Sequence, residues 1–190
     1  LGLIYAVNAF GADHQSSEHD WMYEAGASEL YLERLALLGL NTPPPEGDFG
    51  PEKVKFATLS HIFYSMLDSL TVCQFVFGPA WTLYGPSETV DFVNAVTGWD
   101  VTVEELMALG ERRLNMMRVF NNREGFSRKN DRLPEKFYEP LKGSGPSAGI
   151  AVDRELLEKA IDQHYQTLQW SQDGIPTPQR LKELQLEWLV

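Results

Sequence analysis

The chain has 190 residues, of which 43% are hydrophobic and 23% charged, with a formal charge of -11 and a pI near 4.8. That length lets one compact domain, or two small helical subdomains, bury most of its apolar surface without a disulfide or metal staple. The acidic balance argues against nucleic acid as a partner, since phosphate binding needs a surplus of Lys and Arg, and no apolar run reaches membrane-spanning length. One cysteine, Cys73, cannot close an intramolecular disulfide, and no signal-like segment is evident, so a reducing, cytoplasmic setting is expected. The sequence opens at Leu1, without a methionine, inside the apolar segment LGLIYAVNAFG, which reads as the end of a helix and as a piece of a longer protein.

After Gly11 the polar run ADHQSSEHD, Ala12 to Asp20, lacks helical apolar spacing and predicts a loop. From Ala27, the residues Leu30, Tyr31, Leu35 and Leu38 recur at helical spacing until Gly39, and NTPPPEGDFGP then breaks the pattern. Pro51 suits the first turn of a second helix, where its missing N–H costs nothing, and Leu59, Phe63, Met66 and Leu70 share one face of it. That helix delivers Asp68. Ser87, Thr102 and Asp153 each precede an apolar-periodic run and predict three further N-caps, with Thr102 and Glu105 forming a capping box. Thr177-Pro178 opens a last helix through Leu181 and Leu184. PLKGSGPSAG, Pro140 to Gly149, resembles a flexible connector and divides a helical subdomain, residues 1–140, from a C-terminal helical segment, residues 150–190, that packs on it. With no period-two strands and no fixed-period repeat, the fold expected is all-α and multihelical.

Several common sites are missing: there is no Gly-rich phosphate loop, no G-x-S-x-G elbow and no paired C-x-x-C. Cys73, five residues after Asp68, is on composition a small buried hydrophobe. In a continuous helix the two side chains would point roughly 140° apart, so they can share a site only across a turn. The β-branched Thr71 and Val72 weaken the helix there. Asp68, a carboxylate among apolar neighbours, needs a hydrogen-bonded partner, in the simplest case a backbone N–H. Asp13, His14, Glu18 and His19 could bind a divalent ion, although the five-residue histidine spacing does not match the four-residue zinc-helix pattern. Arg123 and Glu124 read as an ion pair that positions a loop, or as part of a substrate channel, with Phe10 and Phe126 flanking the candidate loops.

DSLTVC, Asp68 to Cys73, resembles the D-x-x-G-L-C element of the tungsten-dependent aldehyde ferredoxin oxidoreductases, with Thr71 and Val72 in place of Gly-Leu. GADH (Gly11 to His14), the long stretch Ala95 to Phe137 containing N-x-R-E-G-F-x-R-x-x-D-x-L-P, and WSQDGIPTPQRL (Trp170 to Leu181) are similar to the same family's C-terminal helical region, in the same order. The resemblance implies that Cys73 is the fourth thiolate of a 4Fe-4S cluster whose other three come from elsewhere in the chain. It also implies that Asp68, with Thr71 and Val72, holds one pterin of a tungsten or molybdenum bis-pterin cofactor. His14 would stand beside the metal and move a proton, with His19 a weaker candidate. The implied activity is oxidation of an aldehyde to a carboxylic acid, with electrons passing through the cluster to ferredoxin. Ferredoxins are usually acidic, so their docking face is expected on a missing N-terminal domain. The isolated chain is expected to fold as a helical protein without stoichiometric iron or tungsten, and to be inactive. A catalytically inactive helical interaction module derived from the family is the alternative.

Overall fold

The computed structural model describes residues 1–45 and 48–190. Among these residues seven α-helices run in chain order: α1 Gly2–Val7, α2 Glu29–Ala36, α3 Pro51–Leu70, α4 Pro86–Thr97, α5 Val103–Arg123, α6 Arg154–Thr167 and α7 Pro178–Glu183. Among the described residues there are only isolated bridges, Phe77 with Tyr84 and Trp170 with Pro176, and no named strand. The all-α expectation therefore holds. No helix among them is long and apolar enough to cross a membrane.

Local chemistry sets most boundaries. Pro51 occupies the first turn of α3, Thr102 and Glu105 close their reciprocal box on α5, and Asp153 and Thr177 each accept a backbone N–H at the start of α6 and α7. Leu184 stands just past the end of α7. The expected cap at Ser87 is displaced by two residues: α4 begins at Pro86, because that ring presets a helical φ and has no N–H to satisfy. Gly85 is the cap, and its N–H donates to the Glu88 carboxylate at 2.9 Å. In α2, capped by Ser28, Leu30 is 52% exposed because it falls in the first turn on the outer face.

α3 is buried on nearly every side and forms the wall shared by two cores. On one side Leu3 and Ile4 of α1, Val54 and Ile62 of α3, Leu114 of α5, and Leu157 and Ile161 of α6 pack together. On the other, Tyr23, Leu35, Phe56, Phe63, Met66 and Leu106 form the second core. α3 and α5 approach closely at Gly110, where any Cβ would collide with the Ile62 carbonyl and the Met66 side chain. The connector is exposed and closes on itself through Leu141 N–H to the Ile150 carbonyl and Gly149 N–H to the Leu141 carbonyl, both at 2.9 Å. Residues on both sides of it contribute to the first core.

Across that core runs a buried polar clamp. Arg118 of α5, 2% exposed, donates to the Gly174 carbonyl at 2.6 Å and to both Asp131 oxygens, at 3.0 and 2.7 Å. It also donates to the Tyr165 hydroxyl at 3.2 Å and lies 4.9 Å over the Trp170 ring. Tyr165 in turn donates to Asp131, and Trp170 Nε1 to Asn115 Oδ1 at 2.9 Å. The motif segment Asn121 to Pro134 thus supplies, through Asp131, the counter-ion that ties α5 to α6 and the turn after it.

Candidate functional site

α3 ends in a Schellman motif. The Val72 N–H donates to the Leu67 carbonyl and the Thr71 N–H to the Asp68 carbonyl, both at 3.2 Å, and Thr71 takes the left-handed conformation at φ 57°. Glycine suits this position; a β-branched residue there is strained. Thr71→Gly is therefore expected to stabilise the fold by about 1 kcal/mol, read as a raised urea midpoint at unchanged m-value. A fall in the midpoint would show that the Thr71 side chain makes up the backbone strain.

The turn reverses the chain, and the Cys73 carbonyl accepts the N–H groups of Val76 and Phe77 at 3.0 and 2.9 Å. Cys73 is exposed, not the buried hydrophobe that composition suggested, because the left-handed residue swings the chain off the α3 surface. Asp68 is also more open than its apolar neighbours imply, at 35%. Its partner is the Arg113 guanidinium at 3.1 Å, not a backbone N–H, with Gln74 Nε2 donating at 3.2 Å. Arg113 also donates to Ser65 Oγ at 3.3 Å and sits 5.8 Å over the Phe10 ring. It thereby links the turn to the segment that leads into the histidine loop. Nothing in the sequence marked Arg113, since it lies 45 residues beyond Asp68 and is brought there only by the packing of α5 on α3.

That loop is anchored at both ends. Asn8 Nδ2 donates to the Gly11 carbonyl at 2.7 Å and to Ser16 Oγ at 3.1 Å, and Asp13 accepts the Gln15 N–H at 2.9 Å and the Ser16 hydroxyl at 3.1 Å. Asn121 of α5 holds the Ala9 carbonyl at 2.7 Å. His14 is exposed, and its carbonyl lies 3.3 Å from His19 Nε2. Among the described residues no group of three or more His, Cys, Asp or Glu is placed to hold a metal ion, so the direct-ion reading of Asp13, His14, Glu18 and His19 has no support.

Ser16, Ser17 and Glu18, polar in sequence, are buried. Glu18 is 2% exposed; its Oε1 accepts the His19 N–H at 3.1 Å and the Tyr64 hydroxyl at 3.3 Å, while Oε2 has no partner. Burial pushes its carboxyl up to about 7, against the opposing pull of the His19 N–H, Trp81, Tyr64 and the Ala80 N–H. Deeper in α3, His61 is buried with neither ring nitrogen partnered, 6.3 Å from the His164 ring, whose Nδ1 lies 2.8 Å from Thr58 Oγ1. Burial, reinforced by the Arg113 charge, pushes His61 down to about 4, and burial with His61 and Arg118 pushes His164 down as well. Arg123 and Glu124 form no ion pair among the described residues. Arg123 reaches the Leu189 carbonyl and fastens the C-terminal turn, while Glu124 closes the end of α5. Phe10 and Phe126 both remain exposed.

Residues 1–186 match the family described as "Aldehyde ferredoxin oxidoreductase, domains 2 & 3". A tungsten-containing aldehyde ferredoxin oxidoreductase of Pyrococcus horikoshii is 30% identical over 98% of this chain, which spans 28% of that relative. An "Aliphatic sulfonate oxidoreductase, WOR-like subunit" of Pyrococcus furiosus is 34% identical over 70% of the chain and 21% of the relative. Among solved structures, the "Active site complex BamBC of Benzoyl Coenzyme A reductase in complex with 1,5 Dienoyl-CoA" superposes on the whole chain with a TM-score of 0.68 at 18% identity, covering 31% of that chain. This last likeness concerns the fold alone.

Proposed function

Because the chain belongs to the aldehyde ferredoxin oxidoreductase family, we propose that it is the C-terminal helical part of a tungsten- or molybdenum-pterin enzyme that oxidises an aldehyde to a carboxylic acid and passes electrons through a 4Fe-4S cluster to ferredoxin. The observation that carries this reading is the Asp68–Cys73 turn. It offers an exposed thiol and, across one helix end, a half-exposed carboxylate whose guanidinium partner also touches the segment leading to His14.

The residues present fit the parts assigned to them. Cys73 is open on the turn and supplies one of the four thiolates such a cluster needs. Asp68 accepts two bonds and retains lone pairs for ring N–H donors of a pterin. The Thr71 and Val72 N–H groups are already engaged with Asp68 and Leu67, so their contacts to a pterin would be through their carbonyls. When bound, the metal–pterin group supplies the two-electron redox chemistry. The protein's own task is to orient that group, hold the substrate and move a proton, for which the exposed imidazole of His14 is suited. Aldehyde is the substrate class of the relatives named for it, and one relative is named for a sulfonate.

The test uses the complete enzyme. Cys73→Ala is expected to abolish the cluster's electron paramagnetic signal while tungsten content persists. His14→Ala is expected to leave both metals in place and lower aldehyde turnover with an artificial acceptor about 10²- to 10⁴-fold. A normal cluster in Cys73→Ala would overturn the assignment of the turn, and near-wild-type turnover in His14→Ala would remove the histidine from the site.

A further inference from the structure

The last turn of α3 is an unfavourable place for a carboxylate. The free carbonyls of a helix end carry partial negative charge, and α3 has no basic residue in that turn. Asp68 stands there nonetheless, and from Phe56 to Glu111 the sequence holds seven carboxylates and no lysine or arginine that could offset it. The compensating cation comes from α5. Its approach is set at Gly110, where the lack of a side chain lets the two helices close and Ser65 Oγ donate to the Gly110 carbonyl at 2.9 Å. Three residues further along each helix, Arg113 meets Asp68 at 3.1 Å.

The pair is tied to the residue beside the thiol. Gln74, which follows Cys73, donates from Nε2 to Asp68 Oδ1 at 3.2 Å, while Arg113 holds Oδ2. Arg113 is itself held, donating to Ser65 Oγ at 3.3 Å with the Phe10 ring 5.8 Å from its guanidinium carbon. The Asp68 and Arg113 side chains are 35% and 29% exposed, so water screens their charges only in part. With both present the turn is neutral in sum. Without the arginine it carries one negative charge beside Cys73, and without the aspartate one positive charge.

We propose, on the reading of Cys73 as a cluster thiolate, that the Asp68–Arg113 pair sets the reduction potential of that cluster, Arg113 supplying the positive charge that offsets Asp68. Reduction adds one electron, so a neighbouring positive charge favours it and a neighbouring negative charge opposes it. Local charge is one of the levers by which a protein fixes the potential of an iron–sulfur centre.

The test is a redox titration of the complete enzyme, read by the cluster's electron paramagnetic signal. Arg113→Met leaves the Asp68 charge unopposed and is expected to lower the potential, by about tenfold in the reduction equilibrium, the order of one unit charge acting from a few residues away through a protein-like dielectric. Asp68→Asn is expected to raise it by a similar factor. Arg113→Lys keeps the charge and loses only the planar fork, so its potential is expected near that of the wild type. The double variant Asp68→Asn, Arg113→Met, with both charges gone, is expected there too. Added salt is expected to shrink both single-variant shifts. A merely structural role for Arg113 would not give shifts of opposite sign that cancel in the double variant. A wild-type enzyme without a cluster would overturn both the reading of Cys73 and the role of the pair. A normal cluster whose potential stays the same in all four variants would overturn the role of the pair alone, as would shifts of the same sign in Arg113→Met and Asp68→Asn.

Discussion

Arg118→Ala is expected to lower folding stability by about 3–5 kcal/mol, the cost of leaving a buried carboxylate without its counter-ion. The Asp131 carboxylate would lose two charge-assisted bonds, and the Gly174 carbonyl and the Trp170 ring would lose their cation. Urea unfolding measures it. The double variant Arg118→Met, Asp131→Leu is expected to recover much of the loss, because removing both charges also removes their desolvation penalty. A loss below about 1 kcal/mol for Arg118→Ala would mean that the clamp is no stronger than a surface ion pair.

Stability should also depend on pH through two buried groups that act in opposite directions. Glu18 is raised from 4.5 to about 7, so the folded state favours its protonated form. Its contribution is fully present below 4.5 and is lost as the pH rises through about 7. His61 is lowered from 6.5 to about 4, so the folded state favours the neutral ring. Its contribution is present above 6.5 and is lost as the pH falls through about 4; His164, also lowered, acts in the same sense. Each shift corresponds to roughly 3 kcal/mol. Between 4.5 and 6.5 the Glu18 slope therefore cancels part of the histidine slope, and the wild-type profile hides both. Glu18→Gln exposes the carboxylate's share: its stability relative to wild type is expected to climb by about 3 kcal/mol as the pH rises from 4.5 past 7. A constant difference across that range would mean that folding leaves the titration of Glu18 unshifted.

The helices were largely readable because their signals are local. Thr102, Asp153 and Thr177 accept N–H groups within one turn, Pro51 presets the φ of a first turn, and the apolar spacing of Leu59, Phe63 and Met66 records a packed face directly. Ser87 misled because an adjacent proline outweighs a serine hydroxyl in starting a helix. The break between Asp68 and Cys73 was legible from the β-branched pair, but the identity of the Asp68 partner was not, since Arg113 comes from another helix. The burial of Glu18 was hidden for the same reason. Its neighbours in sequence are polar, and the groups that enclose it, Tyr64, Ala80 and Trp81, arrive from α3 and the segment before α4.

The first core has a consequence for synthesis on the ribosome. α1 lies at the start of the sequence, yet part of what covers Leu3 and Ile4 is Leu157 and Ile161, made some 150 residues later. The α3–α5 pair can close as soon as Arg123 has emerged, because both helices and the segment that joins them are then complete. Until α6 follows, the apolar side of α1 has an incomplete cover, and Asp131 and Arg118 meet without Tyr165 or the Gly174 carbonyl. A nascent chain paused in the exposed connector is thus the state most in need of a chaperone.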